Sequence, residues 1–287
     1  MKKVKILRQS QIFFDDILNQ EIPEHVYQVL TSDNKNNLIS EITYNDENEE
    51  ITKITREFDE ENRLRKEIKE EKELDTEIVD FYYNDKLLIE EIREFGDMYM
   101  ERNVYNYDDK GNCIEKIYFG EDDMIMDRKI MIYENGLLIR IENEEDGDVE
   151  IETEYSYDEN GNKVEEIYHT LEGKEMTTNY FYENNLLVKT IVYNEFANIS
   201  HIEENVYDER NRIIKTITKT HDDTITYLFD INENNQVYRL RIFNIKDEML
   251  QEITRVYEDG ELVSSVSMVF TPELNRKELT NLRYVKE

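Results

Sequence analysis

Four histidines (His25, His169, His201 and His221) and one cysteine, Cys113, are the residue types in this 287-residue chain that most often carry chemistry. None of them forms the His-x-His, His-Glu-x-x-His or Cys/His spacing that zinc needs. Cys113 has no second cysteine with which to form a disulfide, and its place at the start of a strand predicts a buried structural thiol rather than a nucleophile. Asp158, Asn160 and Asn162 have the alternate spacing of a calcium loop, but Lys163 stands where such a loop needs glycine and no bidentate glutamate follows. Asn143, Glu145 and Gly147 depart from the pattern sooner. No Gly-x-Ser-x-Gly, phosphate-binding loop or dinucleotide fingerprint is present. Paired carboxylates for glycoside chemistry are set by a fold and not by spacing, and 68 acidic residues supply any pair by chance. The chain is therefore read as non-enzymatic, with no metal and no cofactor.

The carboxylates carry a different chemistry when taken together. Glu121, Asp122 and Asp123, then Glu144, Glu145, Asp146 and Asp148, then Glu172 and Glu175 recur at one kind of turn. Repetition brings them into a row suited to steering a basic protein. The net charge of -33 excludes a basic nucleic-acid surface and opposes docking on an anionic membrane. The ends of the chain are nearly balanced, so the excess of 68 acidic over 35 basic residues lies in residues 38–270.

Elements that position this row follow from a repeat of about 25 residues. One form starts at Phe58 (FDEENRLRKEI), Tyr107 (YDDKGNCIEKI), Tyr157 (YDENGNKVEEI) and Tyr207 (YDERNRIIKTI), with Ile68, Ile117, Ile167 and Ile217 ten positions on. A second, with a shorter turn, starts at Tyr83, Tyr133 and Tyr182. Phe229, Tyr257 and a partial copy at Tyr44 extend the series. Gly111, Gly136, Gly161 and Gly260, or Asn62, Asn185 and Asn211 in their place, supply the positive φ of tight hairpins. A second set of turns holds Gly96, Gly120, Gly147 and Gly173, then Ala197, Asp222 and Asp247. Between turns the residues alternate: Ile151, Thr153, Tyr155 and Tyr157 are expected on one face, as are Met176, Thr178, Tyr180 and Tyr182.

The expected fold is all-β, an antiparallel β-hairpin array over residues 40–268 that coils into a shell or superhelical solenoid. Terminal strands of such an array need covering. Residues 1–39 are expected to form a helical cap, from Ser10 as N-cap, the stripe Phe13, Phe14, Ile17 and Leu18, and a second helix from Pro23. Residues 269–287 are expected to form a second cap opening at Thr271-Pro272-Glu273. A basic start without the apolar core of a leader, no apolar span and a single cysteine are read as a soluble cytoplasmic protein.

The motif Tyr-Asp-x-x-Gly-Asn, at Tyr107-Asp108 with Gly111-Asn112 and at Tyr157-Asp158 with Gly161-Asn162, resembles the YD repeat of the Rhs (rearrangement hotspot) family. In that family such repeats wind into a hollow β-shell around a toxin. This chain is far shorter and lacks both the family's DPxG core segment and a toxin domain. The resemblance implies a hairpin array and a place in a bacterial toxin or conflict system. The function expected is an acidic protein-binding module, immunity- or antitoxin-like, that neutralises a basic toxin such as a nuclease. The alternative is a structural shell or adaptor of a secretion or toxin-delivery apparatus. A carbohydrate binder using tyrosine rows, and a nucleic-acid mimic using the acid row, are further readings.

Overall fold

The computed structural model describes residues 1–96, 99–120, 123–145, 147–170 and 173–287. It holds one antiparallel sheet of 22 strands, numbered β1 to β22 in chain order, and a 3-10 turn at Pro272–Leu274. No α-helix occurs among the described residues. Each strand pairs with the next, and β1 (Lys2–Phe14) also pairs with β22 (Arg276–Lys286), from Val4 opposite Lys286 to Phe14 opposite Arg276. The strand order therefore closes on itself as an antiparallel barrel.

This closure corrects the solenoid expected above. A solenoid leaves two strand edges with unpaired backbone groups, whereas here each terminal strand supplies the other's partners. It also removes the need for caps. The expected helical cap over 1–39 is instead β1, β2 (Ile17–Ser32) and the start of β3 (Leu38–Tyr44). The stripe Phe13, Phe14, Ile17 and Leu18 flanks a two-residue turn, Asp15-Asp16, with φ of 48° and 60°. Ser10, expected to cap a helix, lies in β1 with its hydroxyl 3.4 Å from that of Thr280. The expected C-terminal cap is the end of β21 (Glu261–Thr271), the 3-10 turn and β22.

Contacts divide the chain into two compact units. The first comprises Thr31–Thr43 and Glu50–Thr177 with Met1; the second comprises Lys2–Leu30, Tyr44–Glu49 and Thr178–Glu287. Burial is thin in both. The accessible surface is 18434 Å², against roughly 13,000 Å² for a compact monomer of this mass. Ile6, Val29 and Val79 are the buried apolar residues among those described, and Thr153, Thr177 and Thr178 the buried polar ones. In a single sheet layer a side chain packs mainly against lateral neighbours on its own face.

Many of those lateral contacts are ionic. Lys66 meets Asp80 at 3.3 Å, Arg102 meets Glu90 at 3.2 Å and Arg128 meets Glu115 at 2.5 Å in the first unit. In the second unit, Glu204 lies between Lys189 at 3.3 Å and Lys219 at 2.6 Å, and Arg239 meets Glu252 at 2.5 Å. Cross-strand pairs of this kind contribute about 0.2–1 kcal/mol each.

The repeat signature has a structural reading residue by residue. In the five-residue turns the leading aspartate closes on its own loop. Lys110 N–H and Asn112 N–H donate to Asp108 Oδ1 at 2.9 and 2.8 Å, and the Asn112 amide donates to Oδ2 at 2.8 Å. Asp158 repeats this with Asn160 and Asn162. Asp208 does so with Arg210 and Arg212, whose guanidinium takes the place of the amide. Gly111 and Gly161 hold φ of 84° and 80°, which is why glycine or asparagine recurs there.

The signature tyrosines bind across hairpins. Tyr107 donates its hydroxyl to the Leu88 carbonyl at 2.7 Å, Tyr157 to Leu138 at 2.7 Å, Tyr207 to Leu187 at 2.8 Å and Tyr257 to Val237 at 3.2 Å. Each of these four acceptors lies on the strand preceding the tyrosine's own. At the same rung the register shifts: between Asn106 and Tyr107, Ser156 and Tyr157, Val206 and Tyr207, and Val256 and Tyr257. The strand leaving each of these turns thereby carries one extra residue, Ile114, Val164, Ile214 or Val263. Bulges add local twist and bend, which a sheet needs in order to close. They also break the strict alternation expected of Ile151 to Tyr157: Thr153 faces Ile141, but Ile151 faces Glu142.

Candidate functional site

Three of the four histidines and the cysteine have structural partners. His25 Nδ1 lies 3.0 Å from the Pro23 carbonyl oxygen, His169 lies 3.0 Å from Glu154, and His221 lies 2.6 Å from Asp222. Cys113 is half-buried rather than fully buried, with its thiol 3.5 Å from the Glu115 carbonyl oxygen. The calcium-like spacing at Asp158 is used up by the turn, since both carboxylate oxygens already accept hydrogen bonds from the loop. Among the described residues no group of three or more His, Cys, Asp or Glu is placed to hold a metal ion.

These turns also set the electrostatics of the leading aspartates. The Asn112 amide and the backbone N–H groups hold Asp108 below the usual carboxylate range, and Asn162 does the same for Asp158. Hydrogen bonds from the Arg212 side chain and backbone lower Asp208 to about 2.

Of the expected acid row, Glu121, Asp122, Asp146 and Glu172 lie outside the described residues, as does the side chain of Glu145. The others divide into two kinds. Asp123 accepts from Arg102 at 2.9 Å and Glu144 from Arg128 at 2.7 Å, so both are engaged within the chain. Asp148 and Glu175 are exposed, at the starts of β12 (Asp148–Tyr157) and β14 (Gly173–Glu183). Glu73, Asp75 and Glu150 are exposed at turns or strand ends on the same side of the alternation, in the same unit.

The row's neighbourhood holds a cleft that spacing alone does not reveal. It lies where β10 (Ile125–Glu134), β11 (Leu137–Glu145), β12 and β13 (Lys163–Thr170) run side by side in the first unit. Lys129 faces Asn143, and Asn143 faces Glu150, so the three share a face across consecutive strands. Asp127 precedes Lys129 by two and shares that face. Lys129 donates to Glu152 Oε1 at 2.7 Å. Tyr168, opposite Thr153, closes one side. Register shifts between Ile125 and Asp127 and between Ile141 and Glu142 flank the cleft.

Three acceptors in this cleft lack donors: Asp127 Oδ1, Asn143 Oδ1 and Glu152 Oε2 are out of solvent contact and accept no hydrogen bond. Asp127 and Glu152 were not singled out from the sequence, and Asn143 only within a calcium-like spacing that departs from the pattern, because Asp127 and Asn143 become neighbours only through the register of two strands. The one available signal is polar residues recurring where the alternation calls for apolar ones.

No protein-family model and no curated protein matches the chain. The likeness to YD repeats thus rests on the motif residues alone. Among solved structures, the chain is similar to a porin-like protein from Bacteroides uniformis ATCC 8492 at 10% identity, covering 98% of this chain and 97% of that one, with a TM-score of 0.34.

The cytoplasmic placement expected from the sequence is overturned by the architecture. A closed antiparallel barrel crosses a bilayer with strands, so the lack of a long apolar helix says nothing about it. Bacterial outer-membrane barrels have an even number of antiparallel strands, from 8 to 26 and beyond. The closure of 22 strands through β1 and β22 points to the outer membrane rather than the cytoplasm.

Proposed function

We propose that the chain is a non-enzymatic barrel that binds a basic protein through the acidic turns and strand ends of its first unit, as an immunity- or antitoxin-like protein would to neutralise a basic toxin. The observation that carries this reading is the contrast in how the acids are held. Asp108 and Asp158 are closed into their own loops, whereas Glu73, Asp75, Asp148, Glu150 and Glu175 face solvent. Exposed like charge accelerates encounter with a partner of opposite sign and makes it salt-sensitive. The alternative, a shell piece or adaptor joined end to end, loses its simplest contact, because a closed sheet offers no free strand edge for another copy.

The mid-strand pairs Lys66–Asp80, Arg102–Glu90 and Arg239–Glu252 place charge along the strands, whereas the lipid face of an outer-membrane barrel is an apolar band about 25 Å tall. In this reading a protein contact, not lipid, holds the barrel at the membrane. Pull-down from the native host should recover a basic partner whose association slows about tenfold in the Asp148→Lys, Glu175→Lys double variant at low salt. A wash at about 1 M salt should release the chain from membranes. Recovery of neutral partners alone, or release only by detergent, would remove the proposal.

A further inference from the structure

The two ends of the strands in the first unit treat apolar side chains differently. After Met1, the most exposed large apolar residues described there are Leu74, Met124, Ile125, Met126, Val149 and Met100, from 65% down to 43%. All six lie in turns at the edge that holds Gly96, Gly120 and Gly147, or in the first two residues of the strand that leaves such a turn. At the opposite edge, near the signature turns, Tyr82 and Ile114 reach 37%. Five of the nine methionines belong to four segments at the apolar edge, 96–101, 120–126, 144–151 and 171–176. Methionine is flexible and polarisable, which suits a contact surface. Apolar surface left wet and bordered by charge marks a place of contact.

Charge selects what covers it. The same four segments hold twelve acidic residues and one basic residue, Lys174. Asp123 and Glu144 are matched by Arg102 and Arg128, but Asp148, Glu150 and Glu175 are exposed beside the apolar residues. An anionic bilayer, or the same edge of a second copy, would meet like charge here. An added β-strand finds no place, because the strands are already paired on both sides. A basic amphipathic helix meets both the apolar and the acidic groups.

Spacing agrees with a helix. The strands β8 (Tyr99–Tyr107), β10, β12 and β14 all leave this edge, two strand spacings apart, or about 9.6 Å. Seven residues of an α-helix advance about 10.5 Å. Apolar residues repeated every seven positions therefore keep step with Met100, Met124, Val149 and Met176 along one face.

We infer that this edge of the first unit docks a basic amphipathic helix, its apolar face on Met100, Met124, Val149 and Met176 and its lysines or arginines toward Asp148, Glu150 and Glu175. The inference rests on the reading that a basic protein binds these turns, and names the segment of that protein which binds.

Fluorescence anisotropy with the full-length chain and labelled helical peptides of about 24 residues tests it. The first peptide has leucine at heptad a and d positions with lysine and glutamine elsewhere. A second replaces each leucine by alanine, and a third replaces each lysine by glutamate. At about 0.15 M salt the leucine–lysine helix should bind at least tenfold more tightly than the alanine–lysine helix, and the leucine–glutamate helix should not bind. The double variant Met124→Ser, Val149→Ser should weaken the leucine–lysine helix about tenfold and leave the alanine–lysine helix unchanged. Asp148→Lys with Glu175→Lys should weaken both. Ile114→Ser, at the opposite edge, should change neither. Met124 and Val149 are more than half exposed, so their replacement spares the fold. Thermal melts check this, and Met100→Ser alone, with a loss of about threefold, carries the test if the double variant unfolds.

Equal affinity of the leucine–lysine and alanine–lysine helices, or of the folded double variant and wild type for the former, would overturn the inference. So would flotation with phosphatidylcholine–phosphatidylglycerol vesicles, or a dimer seen by light scattering, that disappears in the double variant while no helix binds. The underlying reading fails separately. A basic partner captured as well by Met124→Ser, Val149→Ser as by wild type leaves that reading standing and overturns this inference. Binding of the leucine–lysine helix at this edge, with no basic partner captured from the host, does the reverse.

Discussion

The signature turns and the cleft between β10 and β13 are built from the same residue types and treat them in opposite ways. In the turn at 158–162 one aspartate accepts three hydrogen bonds from its own loop. In the cleft, an aspartate, an asparagine and a glutamate each keep an oxygen with no donor. The turn recurs along the chain with the same geometry and its own register shift, whereas the shifts beside the cleft, at Ile125/Asp127 and Ile141/Glu142, lie away from the signature tyrosines. Repetition is thus used to complete the sheet, and its interruption leaves polar groups free for something else. Locally inconsistent sites of this kind are where function is expected to collect.

The comparison breaks most directly if both sets of acids are removed. The triple variant Asp108→Ala, Asp158→Ala, Asp208→Ala should lower Tm by roughly 6–12 °C, since three well-separated turns lose their closing acceptors and such effects add. The matching triple Asp148→Ala, Glu150→Ala, Glu175→Ala should leave Tm unchanged within a few degrees or raise it through reduced self-repulsion. Equal losses in the two melts would erase the distinction.

A smaller effect tests the tyrosines. Tyr157→Phe keeps the ring and removes only the bond to the Leu138 carbonyl, so denaturant unfolding should show a loss of about 1 kcal/mol. No loss would mean that packing alone accounts for the aromatic position. Acid titration sharpens the turn side further. The Asp208 carboxyl titrates near 2 when folded, below its unfolded value. Its stabilising contribution is therefore complete above about pH 4 and is lost as pH falls toward 2. Asp208→Asn should flatten the decline of Tm in that window, and an unchanged decline would discount the turn's hydrogen bonds. The smallest change is expected at Asn143→Leu, which should be neutral or stabilising by up to about 1 kcal/mol, because it deletes an orphan acceptor rather than a made bond.

Much of the sheet was legible because each hairpin writes its turn locally. Gly111, Gly136, Gly161, Asn62 and Asn211 all sit at positive φ where the repeat predicts it, and the leading Asp and Tyr each have one repeated task. The bulges were not legible, since Ile114, Val164 and Ile214 look like any other branched residue in a strand. Closure was not legible either. The stripe at Phe13, Phe14, Ile17 and Leu18 satisfies a helical spacing as well as two strands around a turn, and only pairing of β1 with a strand some 270 residues away decides between them. The cleft shares that difficulty. Asp127, Asn143 and Glu152 are ordinary polar residues in three separate strands, and the relation among them is a property of register, which no single strand encodes.

The pairing of β1 with β22 also sets the start and finish of the chain beside each other. Glu287 donates its backbone N–H to the Lys3 carbonyl at 2.8 Å, and its carboxylate meets Lys3 and Lys5. A short glycine-rich linker from Glu287 to Met1 would make the polypeptide circular without crossing a strand. New ends opened at the Asn135-Gly136 turn would then give a circularly permuted chain with the same hydrogen-bonded ring, so the hairpin at which the ring is cut is interchangeable.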